Sequence, residues 1–181
     1  MNKLAIILGN QLFPLETQLI TKDTNIFMAE DMGLCTNIKH HKSKIALFFF
    51  AMRSYKNLLE SNNYSVHYMD YKNEFKSSYI EKLKTYIRAN KIEKLIFYEI
   101  EDKPFEQLIY KLIDELKLQF SELTSPMFLD TRESFKDFSD GKKFLLQGNY
   151  YKKNRKTFNY LVEDNKPIGG KWSFDELNRL K

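Results

Sequence analysis

Four groups of residues have types and spacings that could do chemistry. Gly9-Asn10-Gln11 ends a continuous apolar run, Leu4 to Leu8. A glycine there lets the backbone approach a ligand, and the two amide side chains can donate and accept hydrogen bonds. Glu30-Asp31 closes a second apolar segment, where an acid can accept from ribityl or ribose hydroxyls. His40-His41 stands at the head of the longest helical pattern, followed by Lys42 and Lys44. Adjacent histidines point apart on a helix and do not chelate one metal as an i, i+4 pair does; capping or contact with an anion suits them better. The fourth group is Lys142-Lys143 with Lys152-Lys153-Asn154-Arg155-Lys156, interleaved with Tyr150, Tyr151, Phe158, Tyr160 and Trp172. Cations beside aromatic rings suit a phosphate backbone with stacked bases, and equally a solvated lysine-rich helix face beside packing aromatics.

The elements that must position these groups are legible in the hydropathy pattern. Leu4–Leu8, Asn25–Glu30, Ser65–Asp70 and Leu95–Ile100 read as strands, with a fifth near Gln119–Leu123. Between them, residues 40–62, 76–90 and 104–118 carry apolar side chains at three- and four-residue spacing, with Pro104 tolerated in a first helical turn. Strands alternating with helices predict an α/β, Rossmann-like, mostly parallel sheet of about five strands, covered by helices on both faces. In such sheets, ligands bind beyond the carboxyl ends of strands, which is where Gly9-Asn10 and Glu30 fall. After Pro126 the pattern changes to a short helix over Arg132–Ser139, a helical stretch over 142–162 and a loop at Lys166-Pro167-Ile168-Gly169-Gly170. The expected organisation is an α/β domain over 1–125 and a basic helical and loop extension over 126–181.

Composition narrows the function. Residues 1–140 carry 19 basic against 20 acidic side chains and residues 141–181 carry 10 against 4, so the whole surplus of the +5 net charge is C-terminal. The single cysteine, Cys35, excludes an internal disulfide framework and any cluster or structural zinc needing several thiolates of these residues. The longest apolar run, Ile45–Met52, falls well short of the roughly 20 residues of a membrane span, and no signal peptide is read, so a cytoplasmic location without membrane attachment is expected. No Gly-x-Gly-x-x-Gly fingerprint follows the first strand, no phosphate-binding P-loop spacing exists, no Ser/His/Asp set or paired carboxylate stands out as a hydrolase site, and no catalytic residue is nominated.

Four blocks of the sequence, in order, resemble a known family. Ile7-Leu8-Gly9-Asn10-Gln11-Leu12, His40-His41-Lys42-Ser43-Lys44-Ile45-Ala46-Leu47 with Ala51-Met52-Arg53, Asn149-Tyr150-Tyr151-Lys152-Lys153-Asn154-Arg155-Lys156, and Lys166-Pro167-Ile168-Gly169-Gly170-Lys171-Trp172-Ser173-Phe174-Asp175 with Asn178-Arg179 are similar, in order, to segments of the photolyase-related proteins. These are the bacterial iron–sulphur cryptochromes and (6-4) photolyases. The resemblance implies the N-terminal antenna-type domain of a light-driven DNA repair enzyme or blue-light sensor. FAD and a four-cysteine 4Fe-4S cluster would belong to a helical half that lies outside this α/β region, so the chain alone is expected to be inactive, as a truncated product or as a subunit whose C-terminal half is on another chain. The resemblance further implies a ribityl-lumazine-type antenna chromophore held by Gly9, Asn10, Glu30, Phe48 and Met52. It also implies DNA contact through Lys152, Lys153, Arg155 and Lys156. Asn10 stands where the family has aspartate, Leu34 where an acid is expected, and Phe48 where a smaller aliphatic side chain is usual. Two other readings of the residues are an autonomous α/β protein binding a flavin-like or nucleotide ligand, and a basic nucleic-acid-binding module.

Overall fold

The computed structural model describes residues 1–36, 38–72 and 77–174, apart from the side chain of Leu34. The chain divides into two compact units, Met1–Met127 and Phe128–Lys181.

The first unit is the parallel sheet that the alternation of patterns predicts. In chain order its elements are β1 (Lys3–Ile6), a short 3-10 turn at Leu15–Thr17, β2 (Asn25–Ala29), α1 (Met32–Thr36), α2 (Lys42–Ser61), β3 (Val66–Met69), α3 (Tyr79–Ala89), β4 (Lys94–Tyr98), α4 (Lys103–Leu116) and β5 (Gln119–Leu123). The strand order is β3-β2-β1-β4-β5, every neighbouring pair parallel. Strand order therefore reverses between β1 and β4, and a crevice opens there at their carboxyl ends.

Parity along the strands distributes the core. Leu4, Ile6 and Leu8 pack on one face with Phe27, Tyr79, Leu83, Ile87, Phe105, Ile109 and Leu112, drawn largely from α3 and α4. Ala5 and Ile7 pack on the other face with Phe49, Met52, Tyr55 and Leu59 of α2 and with Phe13 and Ile20. A run apolar at every position is what a strand buried on both faces requires. Helix starts are set by side-chain caps. His41 Nδ1 accepts from the Ser43 amide at 3.2 Å, Ser78 and Glu81 form a reciprocal capping box, and Asp102 accepts from the Phe105 amide at 3.0 Å with Pro104 in the first turn.

The second unit holds α5 (Arg132–Ser139), α6 (Gln147–Thr157) and a two-residue antiparallel hairpin, β6 (Val162–Glu163) with β7 (Lys166–Pro167). The helical stretch expected over 142–162 is shorter, and Lys166-Pro167 is a strand of the hairpin. The reason is conformational. The chain leaves α6 at Phe158, then Asn159 and Leu161 take positive φ of 53° and 52°, which ends the helix, while Asp164 and Asn165 turn the hairpin at 47° and 60°.

Candidate ligand site at the sheet switch point

Beyond the carboxyl ends of β1, β2 and β4 lies a cleft of about 300 Å³. Leu8, Gly9 and Asn10 reach it from β1, Ala29 and Asp31 from β2, Ile100 and Asp102 from β4, while Lys44, Ile45, Phe48, Phe49 and Met52 of α2 form one wall. Tyr79 and Phe105, each in the first turn of its helix, form the other, and Cys35 and His40 complete the rim. Most of this wall is apolar, with a few convergent polar groups, the usual makeup of a small-molecule site.

Four of the five residues expected to hold a ligand meet here: Gly9, Asn10, Phe48 and Met52. Their spacing explains it, since Lys44, Phe48 and Met52 recur every fourth residue on one stripe of α2. Gly9 is needed because that stripe crosses it at close range. A Cβ built on Gly9 would lie 2.3 Å from Phe48 Cε1 and 2.7 Å from Met52 Sδ, so only glycine leaves room for both side chains. Asn10 turns its amide aside, donating to Glu101 Oε2 at 3.0 Å.

Glu30 differs from its expected role. It is fully buried, does not line the cleft, and its carboxylate is already satisfied. Arg53 Nε donates to Oε1 at 2.7 Å and Arg53 Nη2 to Oε2 at 2.9 Å; the Tyr68 hydroxyl donates to Oε1 at 2.6 Å and the Tyr71 amide to Oε2 at 3.0 Å. These four bonds fill the four acceptor positions of a carboxylate. Burial acts to raise the Glu30 pKa, but the bonds from Arg53, Tyr68 and the Tyr71 amide, with the Arg53 charge, outweigh it and hold the group below its ordinary value. Glu30 thus ties β2 to α2 and β3, and Lys82 adds a bond of 2.9 Å to its backbone oxygen. The sequence flagged the acid but not its partner; Arg53 in the block Ala51-Met52-Arg53 was the available signal.

Tyr79 and Cys35 carry no sequence signal that places them in the cleft, whereas Asp31, flagged beside Glu30 at the end of β2, is the member of that acidic pair that lines it. Asp31 accepts from the Gly33 amide at 2.6 Å and from the Tyr79 amide, fixing the start of α3 against the end of β2. Burial, with the charges of Asp31 and Glu30 adding to it, raises the Cys35 thiol pKa, so this thiol is a poor nucleophile. Among the described residues, no cluster of three or more histidines, cysteines or acids could hold a metal, and no helix is long and apolar enough to cross a membrane.

In the second unit the four basic residues nominated for DNA divide two and two. Lys152 and Lys156 are exposed on α6. Lys153 is paired with Asp130 at 2.9 Å, beside the Tyr150 hydroxyl that donates to the same oxygen at 2.7 Å. Arg155 is 6% exposed, and its guanidinium donates to the backbone oxygens of Tyr160, Leu161 and Trp172. It fastens the turn after α6 and has little left to offer a phosphate. Of the last resemblance block, Asp175, Asn178 and Arg179 lie outside the described residues.

A doubly covered parallel sheet with a cleft at its switch point defines a Rossmann-like α/β domain. The chain belongs to the deoxyribodipyrimidine photo-lyase-related protein family, whose model matches residues 5–181. It is 27% identical over 183 residues to the (6-4) photolyase of Agrobacterium fabrum, an alignment covering 99% of this chain and 36% of that protein. It is 28% identical over 193 residues to an uncharacterized protein of Acanthamoeba polyphaga mimivirus, covering 99% of this chain and 94% of that one. The chain therefore spans little more than a third of the photolyase it matches.

Proposed function

We propose that the first unit is an antenna-type module of a light-driven DNA repair flavoprotein, and that the switch-point cleft holds a ribityl-lumazine-type chromophore. The observation that carries this reading is the convergence of Gly9, Asn10, Phe48 and Met52 on one cleft at the reversal of strand order. Size supports it further. Ligand cavities run from about 300 to 1,000 Å³, and a cleft of about 300 Å³ suits a two-ring ligand with a short polyol better than an extended flavin dinucleotide.

When bound, such a chromophore absorbs near-ultraviolet and blue light and passes excitation to a flavin. The residues of this chain bind and orient it. Phe48, Phe49 and Met52 cover a ring face, and the bare backbone of Gly9 lets these side chains close down. His40 and Lys44 at the polar rim would take the polyol, beside the Asn10 amide that Glu101 holds. Glu30 acts one step removed, by locking Arg53 and the end of β2. Flavin and iron–sulphur chemistry belongs to a helical half outside residues 1–181, continuing the chain or carried on another. Lys152 and Lys156 supply phosphate contacts that position DNA without reading its sequence.

The test is titration of purified chain with a ribityl-lumazine followed by fluorescence anisotropy, with FAD in parallel. One equivalent of lumazine bound, and FAD bound far more weakly, supports the reading; tight stoichiometric FAD with no lumazine binding overturns it.

A further inference from the structure

Tyr79 is the unexplained group of the cleft. Its side chain is 3% exposed, yet its hydroxyl is buried with no hydrogen-bond partner. Everything else about the residue is fixed. Ser78 and Glu81 cap the helix it begins, and its amide is held by Asp31. Its ring stands edge-on to Phe27 at 5.8 Å and to Phe105 at 5.4 Å between centroids. Phenylalanine would fill the same volume without stranding an oxygen. A buried donor left unpaired costs about 1–3 kcal/mol, and such groups in native proteins call for an explanation. Burial, with the nearby Asp31 charge adding to it, raises the phenol pKa, so the group is an O–H donor at any physiological pH.

We propose that the Tyr79 hydroxyl is the hydrogen-bond donor that selects the ligand of the switch-point cleft, pairing with a ring carbonyl oxygen that the ligand brings. The assignment rests on the ligand-site reading above and deepens it, because it states what the ligand must carry: a planar heteroaromatic ring with a carbonyl acceptor at its buried edge. The hydroxyl is shielded from solvent in the free protein, so the acceptor reaches it as wall side chains give way. Phe48, 37% exposed, is the most exposed apolar side chain of the wall. Ring systems of the same size that lack a carbonyl would leave the hydroxyl stranded and gain nothing from it.

This predicts opposite effects of one substitution on the free and the bound protein. Tyr79→Phe removes the unpaired oxygen, and the melting temperature of the free chain rises by about 2–4 °C. The same variant binds a ribityl-lumazine about five- to tenfold more weakly. Its affinity for a carbonyl-free acridine stays at the wild-type value. A fall in melting temperature would mean that the hydroxyl has a partner in the free protein, and would overturn the proposal. So would an unchanged lumazine affinity, or an equal loss for the acridine, which would report a change of cleft shape. If the wild-type chain binds no lumazine at all, the ligand-site reading falls and takes the proposal with it, an outcome distinct from a wild-type chain that binds and a variant that binds equally well.

Discussion

Arg53 grips Glu30 with two parallel bonds, Nε to Oε1 at 2.7 Å and Nη2 to Oε2 at 2.9 Å. A fork of this kind is the strongest geometry an arginine and a carboxylate can adopt. Removing one partner of a fully buried pair costs about 3–5 kcal/mol; Arg53 is partly exposed, so water can reach the orphaned carboxylate and Arg53→Met is expected to cost about 2 kcal/mol. Urea unfolding followed by circular dichroism measures it.

The same pair sets a pH dependence. The Glu30 pKa is lowered in the folded protein, so its contribution is fully present above the unfolded value of about 4.3 and is lost as pH falls through the lower folded value. Wild-type stability should therefore drop steeply on acidification below about pH 4.3. Glu30→Gln should start lower at neutral pH and show a shallower drop, by equilibrium unfolding at a series of pH values.

Gly9 and Phe48 are a coupled pair. A methyl group on Gly9 would sit within 2.3 Å of the Phe48 ring, so Gly9→Ala should force that ring outward and cost about 1–3 kcal/mol. Phe48→Ala removes part of the clash, and Met52 remains as the second obstacle at 2.7 Å. The double variant should thus be destabilised by less than the sum of the two single effects, a coupling of about 1 kcal/mol in a double-mutant cycle. Strict additivity would place Phe48 away from Gly9.

On α6 the basic residues should separate by phenotype. Lys152→Ala with Lys156→Ala should leave folding intact and reduce the salt slope of duplex DNA binding by about 0.9 for each phosphate that is no longer neutralised. Arg155→Met should instead loosen the turn that holds Tyr160, Leu161 and Trp172, read as a red shift of Trp172 emission and faster proteolysis after Phe158. An Arg155 variant with unchanged emission would show that the guanidinium is not the fastening.

The sheet was legible in the sequence through the alternation of patterns: short runs such as Leu4–Leu8, apolar at every position and closed by Gly9-Asn10, alternate with longer segments that keep a three-four rhythm, whereas continuous apolarity by itself marks no strand, since Ile45–Met52 is apolar throughout and helical. Phe48 and Met52 entered as ligand residues through the family resemblance, and the four-residue spacing of Lys44, Phe48 and Met52 along α2 accounts for their meeting Gly9 at one cleft. Glu30 was placed at the right strand end, but its exposure depends on Arg53, Tyr68 and Tyr71, which are 23 to 41 residues away in sequence and unrelated to it by any local pattern. Tyr79 was invisible for the same reason, since one tyrosine at a helix start carries no sign that its hydroxyl is left alone. In the second unit, counting charges identified the cationic segment, but only the fold shows that Arg155 turns inward while Lys152 faces solvent.

Whether the switch-point cleft is a lumazine-type antenna site is decided by equilibrium titration of the wild-type chain and a Gly9→Leu variant with a ribityl-lumazine, after circular dichroism has established that both are folded. The wild-type chain should bind one equivalent and the variant none, because the leucine side chain would displace Phe48 and Met52, which pack over Gly9, into the cleft. Equal binding by the two proteins, or no binding by the wild-type chain, would contradict the assignment.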